Sequence, residues 1–359
     1  MKKTSKTLIL SIFAFATLSQ AEATTVNVTI PTPPKVNVTV PVVELVVDGQ
    51  TISRTDNNLP TSSEEKPVNV KSEEINSTQF EIVEGKRFPP NYHNKKVVKK
   101  SEEKVEVGDV KNDRIAAYLQ APLMSVEDAT SKLEAAGFKV ITTYKVDKKG
   151  KVKSIVFSDD KMLEKASQKG KGFAANLRLL VDEKSGQISL SNPIYVQKAF
   201  LQDSYDDALA KEMLKRLRDN FEGLKNSKDV VKFIRLPRYK FMNGMPEYED
   251  MVEIASGDNA ELLEKARKSK KVLFEQKLSN GSTLLGVKLS KRTSKFVKKI
   301  GYQNAELLPY PVLIEDGKAK ILAPKYYIAV MYPLLSMSEF MTIATVPGAI
   351  NKDIDKIFR

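Results

Sequence analysis

Few side chains in this chain could carry chemistry, and their spacing matches no common reaction. The 359 residues include one histidine, His93, and no cysteine. That composition excludes disulfide frameworks, thiolate metal sites, cysteine nucleophiles and zinc or iron sites built on several imidazoles. A Ser-His-Asp arrangement would have to recruit His93, which lies beside Tyr92 in a polar, charge-dense stretch and reads as a solvated residue. The 16 glycines fall mainly at turns and helix ends, not in a phosphate-cradling loop. Neither a nucleophile-elbow serine nor a His-Glu-x-x-His pair occurs. Carboxylates remain. A hydrolase built on two acids needs both to face one cleft. The adjacent pairs Asp159-Asp160 and Asp206-Asp207 stand instead at predicted helix starts, where a carboxylate satisfies exposed N–H groups and the helix dipole. Tyr195 and Tyr326 follow prolines at matching places; such rings either line equivalent pockets or pack and tie their hydroxyls to backbone. No residue is assigned a catalytic, metal-binding or cofactor-binding role.

The elements that would position these groups follow an export signal. Lys2, Lys3 and Lys6 precede an apolar run over residues 8–18, and small residues then mark cleavage after Ala21 or Ala23. The run is about half the ~20 residues a helix needs to cross a bilayer, so no transmembrane span is expected after processing. No cysteine at the cleavage region offers a lipid anchor. The expected location is periplasmic, or secreted. Asn27, Asn37 and Asn280 begin glycosylation-type triplets that matter only in a eukaryotic secretory route and read as chance.

Removing residues 1–23 lowers the net charge from +13 to +11. Between residues 257 and 301, twelve Lys/Arg stand against four Asp/Glu. This second-domain patch is either a solvated face or a contact for an anionic surface: lipid headgroups, cell-wall polymers or acidic proteins. Nucleic acid is a poor partner for an exported protein.

Residues 24–112 read as an extended, partly disordered arm. Val26-Asn-Val-Thr-Ile-Pro31 recurs as Val36-Asn-Val-Thr-Val-Pro41, and two short strands flank Asp48-Gly49. From residue 53 the arm is polar and densely charged, too poor in apolar groups to offset the entropy of ordering. Two similar halves follow, at residues 113–225 and 250–359, joined by a connector over 226–249. Each reads as strand, helix, hairpin, helix, hairpin. Gly150 and Gly281, Gly170 and Gly301, Gly186 and Gly317, and Pro193 and Pro324 are all separated by 131 positions, the mark of a tandem repeat. In the second half, Pro309 and Pro311 suggest an edge strand or a bulge.

The stretches Ser125-Val-Glu-Asp-Ala129, Gly137-Phe-Lys-Val-Ile141 and Ala175-Asn-Leu-Arg-Leu-Leu-Val181, with Asn192-Pro-Ile-Tyr195, resemble the domain of unknown function 302 family (DUF 302). The resemblance covers about residues 114–224 and, more faintly, 250–358. It implies two tandem α+β domains, each an antiparallel sheet covered by helices, with the family's dimer-like pairing made within one chain. It supplies no active-site residue. The expected function is a non-enzymatic ligand-binding or protein-interaction module of the periplasm, needing no cofactor; its partner would be a small molecule or an envelope protein. The alternatives are a carboxylate-dependent hydrolase and an envelope-associated structural protein.

Overall fold

The computed structural model describes residues 46–47, 50–51 and 105–359. The export signal with Ala21 and Ala23, His93 and most of the arm lie outside the described residues. The chain divides into two compact units, 1–93 and 94–359. In the first, β1 (Val46–Val47) pairs antiparallel with β2 (Gln50–Thr51), the two short strands expected on either side of Asp48-Gly49.

The second unit is α+β with antiparallel sheets. It opens with β3 (Arg114–Ala116), β4 (Tyr118–Pro122) and α1 (Val126–Ala135), then β5 (Lys139–Lys145), β6 (Val152–Ser158) and α2 (Asp160–Ala166). A 3-10 turn at Gly172–Ala175 leads to β7 (Leu177–Asp182), β8 (Gln187–Ser191), α3 (Pro193–Leu201), α4 (Asp207–Asn220) and β9 (Lys225–Asn226). Ser125 caps α1 by accepting from Asp128 N at 2.9 Å, and Glu127 and Asp128 fill the first turn. Leu209, Met213 and Leu217 recur every fourth residue of α4 and face the core. These strands form one sheet in the order β5-β6-β7-β8-β4-β9.

Next, β10 (Val230–Lys232) pairs with β3, and a 3-10 segment follows at Phe233–Arg238. The rest runs β11 (Val252–Ser256), α5 (Asn259–Lys268), β12 (Val272–Lys277), β13 (Thr283–Val287), α6 (Phe296–Ile300) and a 3-10 segment at Tyr302–Leu307. It ends with β14 (Tyr310–Glu315), β15 (Lys318–Ile321), α7 (Pro324–Met331), α8 (Met337–Thr342) and α9 (Val346–Asp355). The second sheet has the order β12-β13-β14-β15-β11, which is the order of the first five strands of the first sheet. Gly150 and Gly281, Gly170 and Gly301, and Gly186 and Gly317 all have positive φ, the conformation for which glycine is the least strained residue.

Several elements differ from the sequence reading. Pro193 and Pro324 occupy the first turns of α3 and α7, two helices the sequence reading does not include, where a missing N–H costs nothing. Pro311 lies in β14, the central strand of its sheet. The β14–β15 ladder covers only residues 313–315, so the stretch bearing Pro309 and Pro311 has β13 alone as its partner. The connector supplies two paired strands. The folded unit also reaches back into the arm. Arg218 pairs with Glu106 and Asp109 and donates to the Val107 carbonyl at 2.7 Å. Buried Asn192 donates to the carbonyls of Gly108 and Ala116, both at 2.9 Å, while Gly108 N donates to Asn226 at 2.7 Å.

The two sheets share one continuous buried core. The turn Gly172–Ala175 packs on β13 and β14, while Tyr302–Leu307 packs on β6 and β7. Gly172 is held by this contact: a Cβ there would stand 2.4 Å from Leu313 and 3.2 Å from Leu278. Hydrogen bonds cross from Gly170 N to the Glu315 carboxylate at 2.9 Å and from Ser279 N to Ser167 Oγ at 3.0 Å. Among the described residues, no helix is long and apolar enough to cross a membrane.

Candidate functional site

Both carboxylate pairs stand where the sequence places them, at helix starts. Asp159 Oδ1 accepts from Met162 N at 3.1 Å and its Oδ2 meets Arg216 at 2.6 Å, while Asp160 pairs with Lys139 at 2.7 Å. Asp206 accepts from Leu209 N at 3.1 Å and pairs with Lys165 at 2.9 Å; Asp207 pairs with Lys211 at 2.9 Å. These acids serve as caps and ion pairs, with no shared cleft. Tyr195 is buried and donates to the Val330 carbonyl at 2.6 Å. The Tyr326 hydroxyl is buried without a partner, its ring between those of Tyr239 and Tyr248.

A polar cluster that sequence reasoning missed lies where the two sheets meet. Glu306 is fully buried on the Tyr302–Leu307 segment. Its Oε2 accepts from Ser191 Oγ at 3.0 Å, with Ser189 beside it. Burial pushes its carboxyl well above the usual range, against the opposing pull of the Ser189 and Ser191 hydroxyls and of Arg178. Arg178, on β7, donates to the Pro309 carbonyl at 3.1 Å. Asp229 is also buried, and desolvation raises its carboxyl to about 6. The Tyr118 hydroxyl donates to the Met331 carbonyl, and burial, with Glu306 and Asp229 next in effect, raises its pKa well above the ordinary tyrosine value. One signal could have found this cluster: an arginine in the otherwise apolar run Leu177-Arg-Leu-Leu-Val181. A central strand is buried on both faces, so a charge there requires a partner. The cluster is sealed. Its carboxylates are out of reach of any substrate in solution.

The open concave surfaces have a different character. A cleft of about 540 Å³ between residues 290–299 and α9 is lined by Arg292, Lys295, Lys299, Lys352 and Lys356. Its lining includes one carboxylate, Asp353, which accepts from Ser290 N at 2.8 Å. Three of these cations belong to the basic stretch identified in the sequence; α9 supplies Lys352, and Lys356 follows at its end. A second cleft, of about 500 Å³, is lined by Arg114, Lys232, Arg235, Arg238 and Lys240, and by no carboxylate. Four of its cations fall within residues 232–240, a local basic run that the sequence reading left in the connector, and β3 adds Arg114 from far along the chain. Like charges gathered in a recess raise the local concentration of anions. Among the described residues, no group of three or more His, Cys, Asp or Glu could hold a metal ion.

In comparisons with known protein families, curated proteins and solved structures, the chain matches none.

Proposed function

We propose that this is an exported, non-enzymatic binding module made of two related α+β halves fused into one unit, with an anionic ligand or partner. The observation that carries this reading is the sorting of charge. Glu306 and Asp229 lie buried, whereas two open clefts gather five cations each; a third, of about 410 Å³, sets Glu249, Glu253 and Asp316 among three lysines. In that third cleft Asp316 and Glu253 are held in ion pairs with Lys169 and Lys318, which favours a structural over a catalytic use of these acids. Common descent of the halves is part of the same proposal. It is supported by the matching strand order and by three glycine pairs at one sequence offset, all with positive φ. The likeness to DUF 302 belongs here too, as does export to the periplasm, which rests on the N-terminal sequence.

The test is thermal unfolding of the mature protein against phosphate, polyphosphate, dicarboxylates and neutral metabolites. Ligands that prefer the folded form raise Tm with concentration. Anions are expected to raise Tm by several degrees at low salt, with the gain shrinking as salt is added. A neutral metabolite as the sole stabiliser, or no stabiliser at all, would overturn the anionic reading.

A further inference from the structure

Large apolar side chains exposed as a group, rather than singly, mark a surface that something covers. Eight such side chains are exposed among the described residues. Val230 and Met242 line the second cleft directly. Ile234, 74% exposed, sits between the cleft residues Lys232 and Arg235, and Leu334 follows the lining residue Pro333. Two more, Met337 and Met341, stand on α8, which is held to the cleft segment by the rings of Phe241 and Phe340, 5.5 Å apart. None of the residues lining the first cleft is an exposed large apolar side chain.

Inside that apolar rim, charge has one sign. Lys240 pairs with Glu247, while Arg114, Lys232, Arg235 and Arg238 have no carboxylate partner among the described residues. Arginine forks suit the paired oxygens of a phosphate. The layering is therefore a cationic recess of headgroup size surrounded by flexible aliphatic side chains. An anionic bilayer presents the complementary order, phosphates above acyl chains. An acidic protein partner would complement the cations but would not by itself require the aliphatic rim.

We propose that the cleft lined by Arg235 and Arg238, with its rim of Ile234, Met242 and Leu334, docks the protein onto an anionic phospholipid surface. The proposal deepens the binding-module reading and rests on it. The test is co-sedimentation of the mature full chain with vesicles of phosphatidylcholine alone, or with a third of the lipid replaced by phosphatidylglycerol. Affinity for the anionic vesicles is expected to exceed that for neutral ones by about tenfold or more at low salt. The double variant Arg235→Glu/Arg238→Glu and the triple variant Ile234→Ser/Met242→Ser/Leu334→Ser should each lower it by about tenfold, because headgroup attraction and acyl insertion add. Lys295→Glu/Lys352→Glu, in the first cleft, should change it less than about twofold. All these side chains are exposed, and unchanged Tm values would show that the variants fold. If the triple serine variant binds as well as wild type, the surface recognises anions without lipid, and the proposal fails. Capture of an acidic peptide with no vesicle binding would assign the cleft to a protein and overturn it as well. If vesicles fail while soluble glycerol phosphate raises Tm, the binding module survives and only the lipid surface falls. If neither acts, both readings fall.

Discussion

The two sheets run in the same strand order, yet the segments that cross between them are built from unlike residues. On the first side, the crossing turn is Gly172–Ala175, small enough for Leu313 to close on it. On the second, Tyr302–Leu307 carries Glu306 at the place where the sequence offset puts Ala175, and delivers it to Arg178, Ser189 and Ser191. A two-fold dimer of identical chains must present the same patch twice, so an acid on one side is an acid on both. Under the duplication proposed above, two halves on one chain escape that rule. One can become the small, flat side while the other carries the charge. The contrast extends into the sheets: Ile155 fills its strand in the first half, whereas Gly286, 131 positions on, leaves room for the ring of Phe274.

Five substitutions test this contrast. Gly286→Ala should be the most damaging, because its Cβ would stand 1.9 Å from Phe274 within a paired strand; a loss of about 3 kcal/mol or more in chemical denaturation is expected. Ile155→Val at the matching place should cost only about 1 kcal/mol. Glu306→Ala, which gives the second half the residue of the first, should cost about 2–4 kcal/mol by opening a cavity against Arg178 and the serines. Glu306→Gln should stay within about 1 kcal/mol, because burial already favours the neutral acid. A Glu306→Gln loss as large as that of Glu306→Ala would mean the buried acid is ionised. Gly172→Ala should cost about 1–3 kcal/mol through contact with Leu313; an unchanged denaturation midpoint would show that the crossing is loosely packed.

A further effect is expected at Asp229, and this one depends on pH. Its folded carboxyl is raised to about 6 from an ordinary value of 3.8, so the folded state holds the proton more tightly than the unfolded one. Stability from this group is therefore greatest below about pH 4, falls as pH rises through the window to 6, and stays low above it. Asp229→Asn should stabilise the protein by about 1–2 kcal/mol at pH 7, with the gain vanishing near pH 4. Thermal melts across that range decide the matter; a gain independent of pH would exclude the carboxyl as its source.

What the sequence disclosed was local. The caps at Ser125, Asp159 and Asp206, the hairpin glycines and the four-residue rhythm of α4 are each written within a few residues of where they act. The helices α3 and α7 escaped because nearly every residue in them is buried, which erases the periodicity that marks a half-exposed helix. The polar cluster was illegible for another reason: Ser191 and Glu306 are 115 positions apart, and no local pattern records their meeting. The second cleft likewise joins Arg114 to residues more than a hundred positions away. The first was half visible, because three of its five cations fall in one run.

The clasp of Arg218, Asn192 and Asn226 on residues 106–109 has a mechanical consequence. Tension applied at residue 106 would load these side chains together, from α4, the start of α3 and β9, ahead of the β3–β10 ladder that follows in the chain. A tug on this tether would thus strain a peripheral latch and leave the two interlocked halves at rest.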